Sequence, residues 1–112
     1  MRVYKILPRR EWEAACDAGV YEGSAVDLAD GFIHFSTAAQ AQETAIRHFR
    51  GRAGLVVLAV EADDLGPALK WEPSRGGDLF PHLHGVLAPD QVRAVFEAPL
   101  DRDGVPLLGL LE

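Results

Sequence analysis

The sequence predicts an α+β fold in which two main helices pack on about six strands. Three observations predict it. The run Leu55-Val-Val-Leu-Ala-Val is continuously apolar, as a strand buried on both faces would be. Apolar residues recur at helical spacing in two places, Trp12/Ala15/Cys16 and Ala38/Ala41/Ala45/Phe49. The helical patterns come early in the chain and the extended ones cluster late, which favours α+β over a regular βαβ array.

In chain order, Val3 to Leu7 reads as the first strand, with Tyr4 and Ile6 on one face and Val3, Lys5 and Leu7 on the other. Pro8 stops it and suits the first turn of a helix. That helix buries Cys16, which should be inert, and Gly19 ends it. Tyr21 to Asp30 is a loop or short helical turn, and Asp30-Gly31 turns the chain. Phe32-Ile-His-Phe is a short strand interrupted by one histidine. A second helix starts at Thr37, whose spacing to Gln40 is that of a capping box, and Gly51 ends it. After the central strand, Leu69 to Glu72 is a further short strand and Pro73 to Asp78 a loop. Leu79 to Leu87 is extended but broken by Pro81 and Gly85, Val92 to Pro99 is the last strand, and Asp101-Arg-Asp-Gly turns back to the apolar tail Val105 to Leu111.

The chain has 112 residues, 48% apolar and 25% charged, the composition of one folded domain over residues 1–112. A net charge of −6 argues against general nucleic-acid binding, although a local basic site can still hold one phosphate. The single cysteine excludes an internal disulfide and a cysteine-based zinc site. The longest apolar run is too short to span a bilayer or to serve as a signal core, so a cytoplasmic protein without membrane contact is expected.

Chemistry-bearing residues gather in two segments. His34 interrupts an apolar strand just before a helix, where a buried imidazole needs partners for both nitrogens. Ser36 and Thr37 add hydroxyls beside free helix N–H groups, and the first turn holds no acid, so a phosphate or carboxylate would fit. Thr37 is also a plain N-cap, and the two readings are compatible. In Ser74-Arg-Gly-Gly-Asp-Leu-Phe-Pro-His-Leu-His-Gly, Arg75 suits bidentate contact to phosphate, while His82 and His84, two residues apart, face the same way on an extended chain. Such a pair can share a ligand or act as acid and base. A metal would need His34 or Asp78 as third ligand, and no His-Glu-x-x-His signature is present, so none is expected. His48, near a helix end, reads as a structural cation, and Trp71 as a core or rim residue.

Tyr4-Lys-Ile, Trp12-Glu-Ala-Ala, Asp30-Gly-Phe-Ile-His-Phe-Ser-Thr, Leu55-Val-Val-Leu-Ala-Val, Leu69-Lys-Trp-Glu and Asp78-Leu-Phe-Pro-His-Leu-His-Gly occur in that order. Together they resemble the bacterial domain-of-unknown-function family 952 over nearly the whole chain. That family is similar in fold to ADP-ribosyltransferases, which implies an ADP-ribosyltransferase-like split sheet with a cleft for NAD. Ile33-His34-Phe35 resembles a strand of RNA 2′-phosphotransferases. Where that fold offers the NAD ribose a histidine, this sequence has Lys5, which donates but cannot accept. The late-strand glutamate of transferring members has Glu72, Asp78 and Glu97 as candidates.

The resulting expectation is a cleft for NAD or a related phosphorylated nucleotide that transfers or cleaves ADP-ribose. Lys5, Ser36, Thr37, Arg75 and His84 would hold the ligand, His34 would orient it, and His82 or Asp78 would polarise the reacting group. The alternatives are a non-catalytic module for a small anion or metabolite, and a small phosphoester or ester hydrolase using His82 and His84.

Overall fold

The structure is a computed structural model that describes residues 1–109 and 111, with Arg75 described in its backbone alone. It has an α+β architecture of two three-stranded antiparallel sheets. In chain order the elements are β1 (Arg2–Pro8), α1 (Arg9–Ala18), α2 (Ala25–Asp30), β2 (Ile33–His34), α3 (Ala38–Phe49), β3 (Leu55–Glu61), α4 (Ala62–Leu65), β4 (Leu69–Pro73), β5 (Leu79–Leu83) and β6 (Val92–Ala98). The sheets run β1-β3-β6 and β2-β5-β4. A single antiparallel bridge stitches them: Tyr4 and Ser36 exchange N–H···O bonds of 2.8 and 2.9 Å.

β3 lies at the centre of the first sheet, paired with β1 from Arg2↔Glu61 to Pro8↔Leu55 and with β6 on its other edge. Its side chains alternate between two cores, which is why the run is apolar at every position. Val56, Leu58 and Val60 pack with Val3, Leu7, Ile33, Phe35 and Leu83, while Leu55, Val57 and Ala59 pack with Tyr4, Ile6, Ala41 and Ala45 of α3. A bulge after Ala59 frees Arg93 from the ladder and aims it at Asp64, 2.7 Å away.

The helix signals work as chemistry predicts in α3. Thr37 Oγ1 accepts the Gln40 N–H at 3.2 Å and Gln40 Oε1 accepts the Thr37 N–H at 3.0 Å, a reciprocal capping box. Helix α2 forms where a loop or single turn was expected, and Gly31 ends it in a left-handed conformation at φ 86°. Cys16 is exposed rather than core-facing, because Ala15 alone is the buried residue of α1. Nor does Pro81 break β5. It pairs with Trp71 inside the strand and points its donorless nitrogen toward β2, where its carbonyl accepts the Phe35 N–H at 3.0 Å just as that two-residue strand ends, so the proline costs only the return bond of the last rung. Trp71 stands exposed on β4, an edge strand. The tail turns back at Asp101, whose Oδ1 accepts from Asp103 N and Val105 N, and buries Leu108; Leu110 lies outside the described residues. Among the described residues no helix is long and apolar enough to cross a membrane.

Leu58 is fully buried at the crossing of β1, β3 and β6. Leu58→Ala is expected to lower stability by about 2–5 kcal/mol in urea denaturation, through lost transfer energy and the cavity left behind. A loss below about 1 kcal/mol would show that this strand is not the centre of the packing.

Candidate functional site

The site is built by strand register. In the β2–β5 pair His34 lies directly opposite His82, so their side chains share one face of the sheet. Alternation adds Phe32 beside His34, and Phe80 and His84 beside His82, to that face, and turns Ile33, Phe35 and Leu83 into the core. Phe32 stacks on His82 with ring centroids 4.1 Å apart and lies 4.6 Å from His34 and 5.2 Å from His84. The His34 and His82 rings meet edge to face at 5.5 Å.

Each imidazole is held by a carboxylate. His34 Nδ1 lies 2.6 Å from Asp27 Oδ1, and its Nε2 lies 3.0 Å from Asp30 Oδ2. An imidazole donates to both acids at once only as the imidazolium. His82 Nδ1 is 3.0 Å from Glu72 Oε1, and His84 Nε2 reaches the same oxygen at 2.7 Å. With Nδ1 donating to Glu72, His82 keeps Nε2 as an acceptor, and that atom has no partner among the described residues.

Asp27 is the hub, 1% exposed. Oδ2 accepts Lys5 Nζ at 2.7 Å, the Ser24 N–H at 2.9 Å and the Ser24 hydroxyl at 3.0 Å, while Oδ1 also accepts the His34 backbone N–H at 3.1 Å. Gly23 makes this approach possible. At φ 118° a side chain there would be strained, and a Cβ would come within 2.7 Å of Asp27 Cβ.

These contacts set the charges. Burial pushes the Asp27 carboxyl up, but hydrogen bonds from His34 and Lys5, the Lys5 charge and the Ser24 N–H outweigh it and hold the group well below the usual carboxylate range. Burial lowers the Lys5 ammonium from the ordinary lysine value, and Asp27 offsets part of that. The two side chains thus depend on each other, the Lys5 donor held by the Asp27 acceptor at 2.7 Å. Burial also lowers His82, against the pull of Glu72 and with the neighbouring His34 adding to the fall. Hydrogen bonds from His84 and then His82 lower Glu72. Burial, with Asp27 and Glu11 nearby, raises the Tyr21 phenol far above its usual value.

A cleft of about 480 Å³ opens beside this cluster. His34, His82, Asp30 and Ser36 line one side, Thr44, His48, Phe49 and Arg52 another, and Lys5, Ser74 and Phe80 complete it. Of the residues singled out by sequence, His34, His82, Lys5 and Ser36 therefore come together. Others do not. Thr37 lies outside the lining with its N–H in the capping box. His84 lines a second, shallower hollow of about 380 Å³ with Glu22, Gly31, Phe32 and Gly85. Asp78 is exposed beyond the cleft, where its carbonyl accepts the Ser74 N–H. The Arg75 side chain lies outside the described residues. Of the candidate acids, Glu72 joins the cluster, whereas Glu97 sits on β6 and pairs with Arg9 at 2.7 Å.

Sequence reasoning gave no place in the site to Asp27, Asp30, Phe32 or Arg52, and it read His48 as a helix-end cation. A signal for Asp27 was available: Ser24-x-x-Asp27 has capping-box spacing. A signal for Phe32 was its place two residues before His34 on a strand.

Fold and cluster together define a small α+β domain with a carboxylate-held histidine pair at the seam of two sheets. Residues 6–95 match the family described as "Protein of unknown function (DUF952)", and the chain belongs to that family. It is similar to protein CC0527 from Caulobacter crescentus. The crystal structure of that protein superposes with a TM-score of 0.93 at 59% identity, covering 96% of this chain and 94% of that one. Its solution NMR structure gives 0.87 at 60% identity, covering 96% and 93%. No curated protein matches the chain.

Two outcomes test these electrostatics. Asp27 has a lowered folded value, so it adds stability that is complete above the unfolded value near 4 and is lost as pH falls through the folded value. Urea titrations from about pH 7 to about pH 2 should show stability falling more steeply below about pH 4 in the native protein than in Asp27→Asn. Parallel curves would contradict the hub assignment. Glu72→Gln removes the acid that raises His82, so the His82 imidazole should titrate still lower in NMR pH titrations; an unchanged or higher value would remove Glu72 as its partner.

Proposed function

We propose that the cleft is an acid–base site for a small phosphorylated nucleotide of the NAD or ADP-ribose class, and that it cleaves or transfers the ADP-ribose portion. One observation carries this reading: His34 and His82 face one another at 5.5 Å in a single cleft, His34 held between Asp27 and Asp30 and His82 held by Glu72. A carboxylate on one imidazole nitrogen fixes the tautomer and aims the other nitrogen, the arrangement general acids and bases need. The fold likeness to ADP-ribosyltransferases implied by the family supports the ligand class.

The residues present fit such a ligand. The cleft volume lies in the range of small-molecule sites, Phe49 and Phe80 supply apolar wall for a planar ring, and Ser36 and Ser74 supply hydroxyls. NAD, when bound, supplies a glycosidic bond to a cationic leaving group. His82 Nε2 accepts the proton of the attacking hydroxyl or water. His34 Nε2 exchanges Asp30 for a ligand oxygen and donates to it. Lys5 acts at one remove, because its ammonium is engaged with Asp27 and fixes the acid that fixes His34.

The second reading is a non-catalytic binding module. It is favoured by the engagement of Lys5 with Asp27 and of Glu72 with two histidines, which leaves neither committed to a ligand. A thermal-shift titration with NAD, ADP-ribose, nicotinamide and inorganic phosphate, run with an assay of nicotinamide release, separates the two. Ligand at a hundred times its dissociation constant adds about 2.7 kcal/mol of stability. The acid–base reading expects that shift with NAD or ADP-ribose, its loss in His34→Ala, and at least about 10²-fold slower release in His82→Ala with binding kept. Binding without release would select the module. No shift with any nucleotide would overturn the ligand class.

A further inference from the structure

Within the cleft, the lining contributed by α3 and the turn after it has a chemistry of its own. Thr44 and His48 lie one helical turn apart on α3, and Arg52 follows the turn that ends this helix; all three line the cleft. Arg52 is held in place. Its N–H bonds the Phe49 carbonyl at 3.0 Å, the preceding Gly51 N–H bonds the Gly104 carbonyl at 2.6 Å, and its guanidinium lies 5.0 Å over the Phe49 ring. A guanidinium steadied by a ring in this way still has N–H donors for a further partner. Neither Arg52 nor His48 has a carboxylate partner among the described residues, although the chain carries a net charge of −6. The acid of the lining, Asp30, is engaged with His34. The lining therefore combines the histidine–carboxylate cluster with a guanidinium that has no carboxylate partner among the described residues, the His48 imidazole and the Ser74 hydroxyl.

We propose that His48, Arg52 and Ser74 form the subsite for the phosphate or diphosphate group of the ligand, so that a bound molecule runs from this cationic wall to the His34–His82 pair. The assignment rests on the acid–base reading of the same cleft for its direction, and gives it a substrate requirement: an anionic group set to one side of the reacting atom. Planar, forked donors are suited to phosphate oxygens, and at these exposed positions the attraction should weaken as salt rises.

The test uses pyrophosphate as the bare probe and the pair AMP and adenosine as ligands with and without the group. In ¹H–¹⁵N spectra of the whole protein, pyrophosphate should shift the amides of 44–52 and 74. Arg52→Ala should weaken pyrophosphate and AMP by at least about tenfold while adenosine is unchanged, and Arg52→Lys should recover part of the loss. Arg52 is exposed, so the substitution spares the core. Pyrophosphate shifts confined to the His34 and His82 strands, no pyrophosphate shifts at all, or equal affinities in the native protein and Arg52→Ala would each overturn the subsite. If pyrophosphate binds at 44–52 while NAD and ADP-ribose bind nowhere, the subsite stands and the proposed ligand class falls. If the nucleotides bind but pyrophosphate leaves 44–52 unmoved, the reverse holds.

Discussion

The buried Asp27 carboxylate is the constraint on which the rest of the site depends. A charge enclosed at that depth is tolerated only when its lone pairs are filled. Here they are filled from three separate stretches of chain: Lys5 from the first strand, Ser24 from the turn before α2, and both the backbone and the ring of His34 from β2. One side chain thereby closes a short helix, ties β1 to β2 and sets the angle of an imidazole. The lysine that makes Asp27 acceptable in the interior is itself acceptable only because of Asp27. Neither partner is replaceable alone, since removing one member of such a pair leaves the other uncompensated.

The second acid works by division rather than accumulation. A single oxygen of Glu72 receives two imidazoles, one from the main cleft and one from the shallower hollow behind Phe32. His82 sits where burial disfavours its charged form, and Glu72 offsets part of that effect. The two histidines of the cleft therefore differ in environment. One is bracketed by two carboxylates, and the other has one shared carboxylate and an unpartnered nitrogen. Environments that set neighbouring titratable groups apart are what acid–base chemistry at neutral pH requires.

Much of the fold was legible because local and tertiary signals agreed. The all-apolar run at Leu55–Val60 suggests a strand with a core on each side, and the spacing of Thr37 and Gln40 suggests a helix start; both are what the fold contains. Legibility failed where the deciding partner was distant in sequence. Cys16 has helical spacing to Trp12 and Ala15, yet α1 turns Ala15 rather than Cys16 inward. Pro81 reads as a strand breaker until the neighbouring strand proves to end beside it. Within the site, His34 and His82 stand out as polar residues interrupting apolar strands, which local sequence can show. Their direct opposition cannot be read locally, because it follows from a register between segments nearly fifty residues apart. Asp27 was hidden by its modest surroundings, Ala-Val-Asp-Leu, and by a lysine that only folding brings to it.

The Tyr4–Ser36 bridge has a mechanical meaning. The wall carrying Lys5, Ile6 and Pro8 belongs to the first sheet, and α3 packs against that sheet, whereas His34, His82 and Phe80 belong to the second. The two sheets share one main-chain rung, and the Lys5–Asp27–His34 contacts and the common core of Val3, Leu7, Ile33 and Leu83 brace them beside it, so the cleft is a gutter between two braced covers. A molecule held there would touch both covers at once and add a further clasp between them.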